Sequence, residues 1–289
     1  MKTIAVLTDL TAKGEHAAFY ALHLAQHLHA NILLYNAFTV PSADPMAAQI
    51  AWPMEDFDEL QNDTENELNL LVKKLEVELT ASPAYAFKPV IDCRCHDGAL
   101  NLHLDELLNN RDIVMLVIGS HKKGLSAWLM GNHMRSVIDN VTVPVLMVPE
   151  NCSFKSIHKI TFPTDLMPAD IDLVHAVAHL AKPFGASLLL AHICPASEEA
   201  QIPVKKFLEE VTNKIDYAHI YYRNVCDADL HDGLNWLANQ AAADLLVMVH
   251  RNKGWLDQLL NRSNTLKVAE QISIPLLVFP YPVPKLPVF

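Results

Sequence analysis

The sequence predicts an α/β protein of two tandem doubly wound domains, each a five-stranded parallel sheet flanked by helices. The first observation is an internal repeat: Ile4–Leu10 recurs as Ile160–Leu166, and Asn31–Ala37 recurs as Ser187–Ile193, both at an offset of 156 residues. The second observation is that short, almost continuously apolar segments alternate with segments of helical period in both copies. Such alternation is typical of parallel strands that helices cover on both faces.

Runs of apolar and β-branched residues predict the strands, and apolar residues three and four positions apart predict the helices between them. In the first copy we expect strands near 3–8, 31–37, 86–92, 113–118 and 144–148, and helices near 14–29, 56–80, 98–109 and 131–140. In the second copy we expect strands near 158–163, 187–193, 219–225, 244–249 and 275–279, and helices near 169–183, 198–214, 229–242 and 263–271.

The repeat also sets the domain boundaries. We place the first domain at residues 1–150, the second at 155–280, and an extended, proline-rich tail at 281–289. The expected strand order, 3-2-1-4-5, leaves the last strand of each domain at a sheet edge. Both last strands are bare apolar segments, and an exposed apolar edge requires a partner. We therefore expect the two edges to pair within the chain as a pseudo-dimer, with homodimerisation as a further open alternative.

Composition limits the partners and the compartment. Of 289 residues, 51% are hydrophobic, and the formal net charge is −11. This hydrophobic fraction excludes a disordered chain, and the acidic balance disfavours nucleic acid and anionic membranes as partners. No segment approaches the length of a membrane span or resembles a signal peptide, and five cysteines are an odd number for a disulfide framework. We expect a cytoplasmic protein.

A ligand of such a sheet is expected beyond the carboxyl ends of strands one and four, where the strand order reverses. Both copies place the same triplet, Thr-Asp-Leu, after strand one, with Asp9 and Asp165 at its centre. Either aspartate can accept hydrogen bonds from a ligand base or ribose, or cap the following helix. After strand four come Gly119, Ser120 and His121 in the first copy and Val249, His250 and Arg251 in the second.

These residues resemble the universal stress protein family, and the whole chain resembles its tandem form. ATP-binding members carry G-x2-G-x9-G-[ST] after strand four, whose backbone amides wrap the phosphates, while the aspartate after strand one and the end of strand two hold the adenosine. A glycine-lined turn next to a helix N-terminus is a general way to bind an anion. The resemblance implies these cofactor-binding residues in the first domain: Asp9, Ala37, Gly119, His121, Gly124, Gly131 and Asn132.

Both copies depart from that pattern. In the first, Lys122 stands where the second glycine belongs, and Gly131-Asn132 stands where Gly-Ser/Thr is usual. In the second, no glycine falls within Val249–Asn252 or Asn261–Ser263. We therefore expect at most weak ATP binding in the first domain and no cofactor in the second. Three basic residues of the second copy can instead meet a smaller anion, or lie on a solvated loop without a ligand: His250, Arg251 and Arg262.

The sequence also contains a compact cysteine cluster, Cys93-Arg94-Cys95-His96. We expect the Cys93 and Cys95 thiols to point to opposite faces of a strand, so that they could share a metal only where the chain has turned. Structural zinc sites usually show the wider spacing C-x2-C. We therefore predict no metal-binding residues, while metal binding by this cluster stays open.

The motifs of the common catalytic classes are absent from the sequence. It has no G-x-S-x-G elbow, no Walker A lysine and no paired carboxylates at the crevice. We predict no catalytic residues and a non-catalytic stress-response protein. Two alternatives stay open: an ATP-binding sensor whose occupancy of the first domain changes the domain arrangement, and a slow ATP hydrolase.

Overall fold

The computed structural model describes residues 1–38, 57–83, 86–109, 112–120, 137–194, 201–226, 233, 236–237, 241–251 and 274–282. Its strands are β1 (Thr3–Leu7), β2 (Asn31–Phe38), β3 (Ile91–Asp97), β4 (Ile113–Ser120), β5 (Val145–Pro149), β6 (Lys159–Pro163), β7 (Ser187–Cys194), β8 (Ile220–Cys226), β9 (Leu245–Val249) and β10 (Leu276–Phe279). Its helices are α1 (Ala12–Leu28), α2 (Phe57–Ala81), α3 (Leu100–Asn109), α4 (Asp170–Ala181) and α5 (Gln201–Lys214), with a 3-10 turn at Lys182–Phe184.

All ten strands form one sheet in the order β3-β2-β1-β4-β5-β10-β9-β6-β7-β8. We call β1–β5 with their helices the first half and β6–β10 with theirs the second half. Within each half the strands are parallel and follow the order 3-2-1-4-5, as the sequence predicts. The strands of the two halves do not interleave, so the repeat in the sequence is also a repeat in the structure.

The halves join where β5 and β10 pair in antiparallel orientation. The register sets Leu276 opposite Met147, Leu277 opposite Leu146 and Val278 opposite Val145. All six side chains are buried. The two apolar edges that the sequence leaves unpaired thus cover each other, and we call this pairing the seam.

Helices pack on both faces of the sheet, and each face has one continuous apolar core. On the first face, Val6 of β1 belongs to the same buried cluster as Phe162 of β6. On the second face, Leu7 of β1 belongs to a cluster that also contains Leu276 and Val278 of β10. Because both cores cross the seam, the two halves share the apolar burial that stabilises them.

Strand β3 lies five residues later than the sequence predicts, at Ile91–Asp97 instead of 86–92. The polar residues of this segment indicate a loop in the sequence. In the structure, β3 is an edge strand whose residues alternate between partly buried and exposed over most of its length. There Cys93 donates its S–H to Oδ1 of Asn69, at 3.7 Å, and Cys95 donates to Oε1 of Glu65, at 3.9 Å. The expectation that these two thiols point to opposite faces is wrong, because residues i and i+2 of a strand lie on the same face.

Burial raises the pKa of both the Cys93 and Cys95 thiols; the negative charge of Glu65 adds to the effect on both, and that of Asp92 adds to the effect on Cys93. Both thiols are free of disulfide bonds. Within the described part of the chain, no three His, Cys, Asp or Glu side chains converge in a way that could hold a metal ion.

Some predicted elements fall outside the described residues: the helix near 263–271, most of the helix near 229–242 and most of the tail. Of the helix predicted near 131–140, residues 137–140 are described and are helical. None of the described helices has the length and apolar character needed to cross a bilayer.

The continuous cores predict that the chain unfolds as one unit. We expect Leu277→Ala, which removes a fully buried side chain at the seam, to lower the free energy of unfolding by about 2–5 kcal/mol. Hydrogen exchange read by mass spectrometry should show β1 and β6 losing protection together. Leu102→Ala, at a side chain 72% exposed on α3, is the control and should change stability by no more than about 0.5 kcal/mol. Loss of protection confined to the second half would contradict a shared core.

Candidate functional site

The same tight turn follows the first strand of each half. Oγ1 of Thr8 accepts the Leu10 amide at 3.0 Å, and Oγ1 of Thr164 accepts the Leu166 amide at 3.0 Å. Both leucines take the left-handed conformation, with φ of 58° and 59°. This conformation is unusual for a leucine, and the threonine hydrogen bond helps to hold it. The turn sets the central aspartate at the carboxyl edge of the sheet in both halves.

In the first half, Asp9 is tied to the start of α1. Its Oδ1 accepts the hydroxyl of Thr11 at 2.6 Å and the amide of Thr11 at 3.2 Å, and its Oδ2 pairs with Nζ of Lys13 at 2.8 Å. Burial alone would raise the pKa of Asp9, but the hydrogen bonds from Lys13 and Thr11 outweigh burial and lower that pKa below its ordinary value. Asp9 is therefore an ionised acceptor at neutral pH.

A cleft of about 490 Å³ opens beside this turn, and we call it the first-half cleft. Three of the seven predicted cofactor residues, Asp9, Ala37 and Gly119, line it together. The other four lie outside the described residues: His121, Gly124, Gly131 and Asn132. Lining residues that the sequence analysis missed include Lys13, Gly14, Tyr35, Asn36, Phe38, Thr64, Glu67 and Leu100.

Two glycines allow α1 to begin directly against the end of β4. A Cβ built on Gly119 would overlap the carbonyl oxygen of Lys13, and a Cβ on Gly14 would lie 2.5 Å from Oγ1 of Thr8. Gly119 therefore has a packing role in addition to the ligand role that the resemblance implies. Of these two glycines, only Gly14 had no signal in the sequence, because glycine is required there by a contact with Thr8 across the turn.

The floor of the cleft contains Asn36, which is buried. Its Nδ2 donates to the carbonyl oxygen of Thr8 at 2.8 Å, while its Oδ1 is buried without a hydrogen-bond partner among the described residues. His192 lies at the same position in the second half and contacts the Thr164 carbonyl oxygen at 2.9 Å. This repeat of a polar side chain at one register position was the signal that could have identified Asn36. Beside it, burial raises the pKa of Tyr35 to about 12, so the phenol is neutral.

The second half fills the corresponding space with its own side chains. The strand registers match Ile4–Met115 with Ile160–Leu245, which aligns Gly119 with Val249. At the position of Gly14 stands Asp170, whose Oδ1 pairs with a guanidinium nitrogen of Arg251 at 2.6 Å. The Thr164 hydroxyl donates to Oδ2 of Asp170 at 2.7 Å.

Arg251 is therefore not on a solvated loop, which was one of the two sequence interpretations. It is 9% exposed, Asp170 is 1% exposed, and the guanidinium carbon lies 5.1 Å from the ring centre of Tyr281. The anion that Arg251 meets is a carboxylate of its own chain. A third difference lies at the end of strand two, where Ala37 is replaced by the buried Ile193, which packs so closely on Gly233 that a Cβ there would lie 2.6 Å from it.

Asp165 is the counterpart of Asp9, but the groups around it disfavour its negative charge, whereas those around Asp9 favour it. The position of Lys13 is taken by Ala169, and Asp170 adds a second carboxylate nearby. Loss of solvation and the nearby charge of Asp170 together raise the pKa of Asp165 to about 6, against the opposing effects of Arg251 and His192. The two aspartates thus have the same backbone position and opposite electrostatics.

Comparison of the sequence with known protein families identifies the family of this chain. The model of the Universal stress protein family matches residues 1–149 and 156–280. The chain belongs to the universal stress protein family. As a member with two such segments, it has the tandem form that the repeat predicts.

Solved structures of the family share the fold. The superposition on a universal stress protein from Archaeoglobus fulgidus covers 96% of this chain and 95% of that protein, with a TM-score of 0.69 and 14% sequence identity. A putative universal stress protein from Pseudomonas aeruginosa covers 96% and 92%, with a TM-score of 0.54 and 12% identity. Among curated proteins, the Na+/H+ antiporter NhaS5 of Synechocystis is 28% identical over 141 residues, which are 48% of this chain and 19% of the antiporter.

The opposite surroundings of Asp9 and Asp165 predict opposite effects of one substitution. At pH 7.5 we expect Asp9→Asn to lower the unfolding midpoint by about 1–3 °C, because an ionised carboxylate loses its partners. We expect Asp165→Asn to raise the midpoint, because above pH 6 the folded state holds an unfavourably placed charge there. Circular dichroism melts measure both midpoints.

The sign of each pKa shift fixes the pH dependence. A lowered pKa stabilises the folded state above the unfolded pKa of 3.8, so the loss in Asp9→Asn should persist at pH 4.5. A raised pKa destabilises the folded state fully above pH 6, and this effect is lost as the pH falls toward the unfolded value of 3.8, so the gain in Asp165→Asn should be clearly smaller at pH 4.5. Shifts of the same sign in both variants at pH 7.5 would contradict this difference between the halves.

Proposed function

We propose that this tandem universal stress protein is a non-catalytic, cytoplasmic nucleotide-binding protein, in which only the first half binds the ligand. The observation that carries the proposal is the contrast between the halves. The first half has an open cleft of about 490 Å³ beside Asp9, and the second half has the buried Asp170–Arg251 pair at the same place.

The lining of the first-half cleft fits the nucleoside part of a nucleotide. Ala37, Phe38 and Leu100 supply apolar surface for a base, and the Asp9 carboxylate and the unpartnered Oδ1 of Asn36 are acceptors for amino or hydroxyl donors. By the family resemblance the nucleotide is ATP, and the same resemblance assigns His121, Gly124, Gly131 and Asn132 to its phosphates.

Charge limits the affinity. The described lining contains two carboxylates, Asp9 and Glu67, and one ammonium group, Lys13, which already pairs with Asp9. These residues offer little net attraction to a polyphosphate, so we expect weak binding.

The sensor alternative requires the halves to move relative to each other. One sheet and two apolar cores connect them, and such cores do not deform continuously. This connection favours binding without rearrangement of the halves. For the hydrolase alternative, Asp9 is a poor general base, because its hydrogen bonds lower its pKa.

The same observations support the partners we propose. The seam uses the last strand of each half within the chain, which leaves β3 and β8 as the outer strands of the sheet. A homodimer would therefore use another surface than these last strands. A net charge of −11 argues against nucleic acid and anionic lipid surfaces as partners.

The proposal predicts that a side chain from the second half, placed at the equivalent position in the first-half cleft, weakens ATP binding. We expect isothermal titration calorimetry to give a dissociation constant for ATP of about 0.1–1 mM, and Ala37→Ile to weaken binding by at least about tenfold. Isoleucine is chosen because Ile193 stands at this position in the second half. Ile193→Ala is the matched control and should leave ATP affinity unchanged.

Thermal melts of both variants separate lost binding from lost folding. No heat from the unmodified protein at millimolar ATP would remove the proposal, and equal binding by Ala37→Ile would show that ATP lies elsewhere.

A further inference from the structure

A second groove, of about 450 Å³, adjoins the first-half cleft. Leu10 and Glu67 line both, so the groove continues the cleft along the outer side of α2. We call it the α2 groove. Its other walls include Leu70, Leu71 and Val77.

The α2 groove is unusual because its aliphatic walls face solvent. Leu70 is 57% exposed and Val77 is 69% exposed, and seven residues separate them, which sets them on one stripe of the helix. Leu71 beneath them is buried. The helix α5 of the second half has no large exposed hydrophobic side chain between residues 204 and 214, where Lys205 and Lys206 are exposed instead. Among the side chains described on the two helices, the exposed aliphatic pair thus lies in the half that has the open cleft.

From this continuity we infer that the ligand of the first half is a nucleotide that carries an acyl or alkyl chain. This inference rests on the proposed nucleotide binding and names the class of nucleotide. The nucleotide lies in the first-half cleft, and the chain passes Leu10 and covers Leu70 and Val77 in the α2 groove. Each buried methylene favours binding, which gives such a ligand an advantage over the bare nucleotide.

The exposed area argues against a protein partner on this groove. A stable protein interface buries at least about 1,200 Å² in total, and two exposed aliphatic side chains supply only a small part of that area. The ion pair between Lys74 and Glu15 also forms part of the wall, so the apolar surface of the groove is limited to a narrow stripe of side chains.

The test compares octanoyl-coenzyme A with coenzyme A by isothermal titration calorimetry. These probes share one adenine nucleotide and differ by an eight-carbon acyl group. We expect the intact protein to bind octanoyl-coenzyme A at least about tenfold more tightly, which corresponds to about 1.4 kcal/mol. The double variant Leu70→Gln, Val77→Gln should bring this ratio close to one and leave the affinities for coenzyme A and ATP unchanged. Leu102→Gln, at an exposed leucine on α3 outside the groove, should keep the ratio.

Several results would overturn the inference. Equal affinities for the two probes would do so while leaving nucleotide binding intact, and so would a ratio that survives in the double variant. If neither coenzyme A nor ATP binds, the proposed function itself has failed. Sedimentation velocity tests whether a second copy of the chain occupies the groove instead. If the intact protein is a dimer and the double variant is a monomer, the groove is a dimer interface and the inference fails.

Discussion

The antiparallel pairing of β5 with β10 is the contact on which the rest of the structure depends. Each half ends in a strand that is apolar on both faces, and such an edge exposed to water would recruit another strand. Pairing the two edges removes both from solvent at once and aligns the helix layers of the halves. Both apolar cores then become continuous. Duplication of one domain in a single chain makes this pairing intramolecular, so it does not depend on protein concentration.

With the halves fixed in one body, each site is free to change without loss of the fold. The Thr-Asp-Leu turn is the same in both halves, down to the left-handed leucine. The differences lie in the side chains around it. The second half has Asp170 at the position of Gly14, Val249 at that of Gly119 and Ile193 at that of Ala37. Each replacement adds volume at the carboxyl edge of the sheet. The backbone thus keeps the same turn in both halves, while the side chains determine whether a cleft opens beside it.

The sequence was sufficient for the parts of this protein that local pattern controls. The buried strands, the helices between them and the apolar last strands follow from hydrophobic periodicity, because parallel strands buried on both faces show it strongly, and the repeat follows from matching segments at a constant offset. Strand β3 was misplaced because an edge strand with polar residues lacks that signal. The environment of Arg251 was also beyond the sequence, since its partner Asp170 is 81 residues away and becomes a neighbour only when α4 docks at the end of β9. The sequence could place Asp9, Ala37 and Gly119 at one edge of the sheet because they stand at strand ends, whereas Gly14 and Asn36 owe their positions in the cleft to contacts across the turn.

The Asp170–Arg251 pair also explains why the second half would not readily open a cleft like that of the first half. Removing either partner of a buried ion pair leaves the other charge without compensation, at a cost of about 3–5 kcal/mol. Removing both still leaves Val249 and Ile193 in the space that Gly119 and Ala37 leave open in the first half. At least four changes, at Asp170, Arg251, Val249 and Ile193, would be needed to open the second half in the same way. Both halves supply the seam and both cores, so the side chains at the carboxyl edge of one half can differ from those of the other while the contact that holds the chain together stays the same.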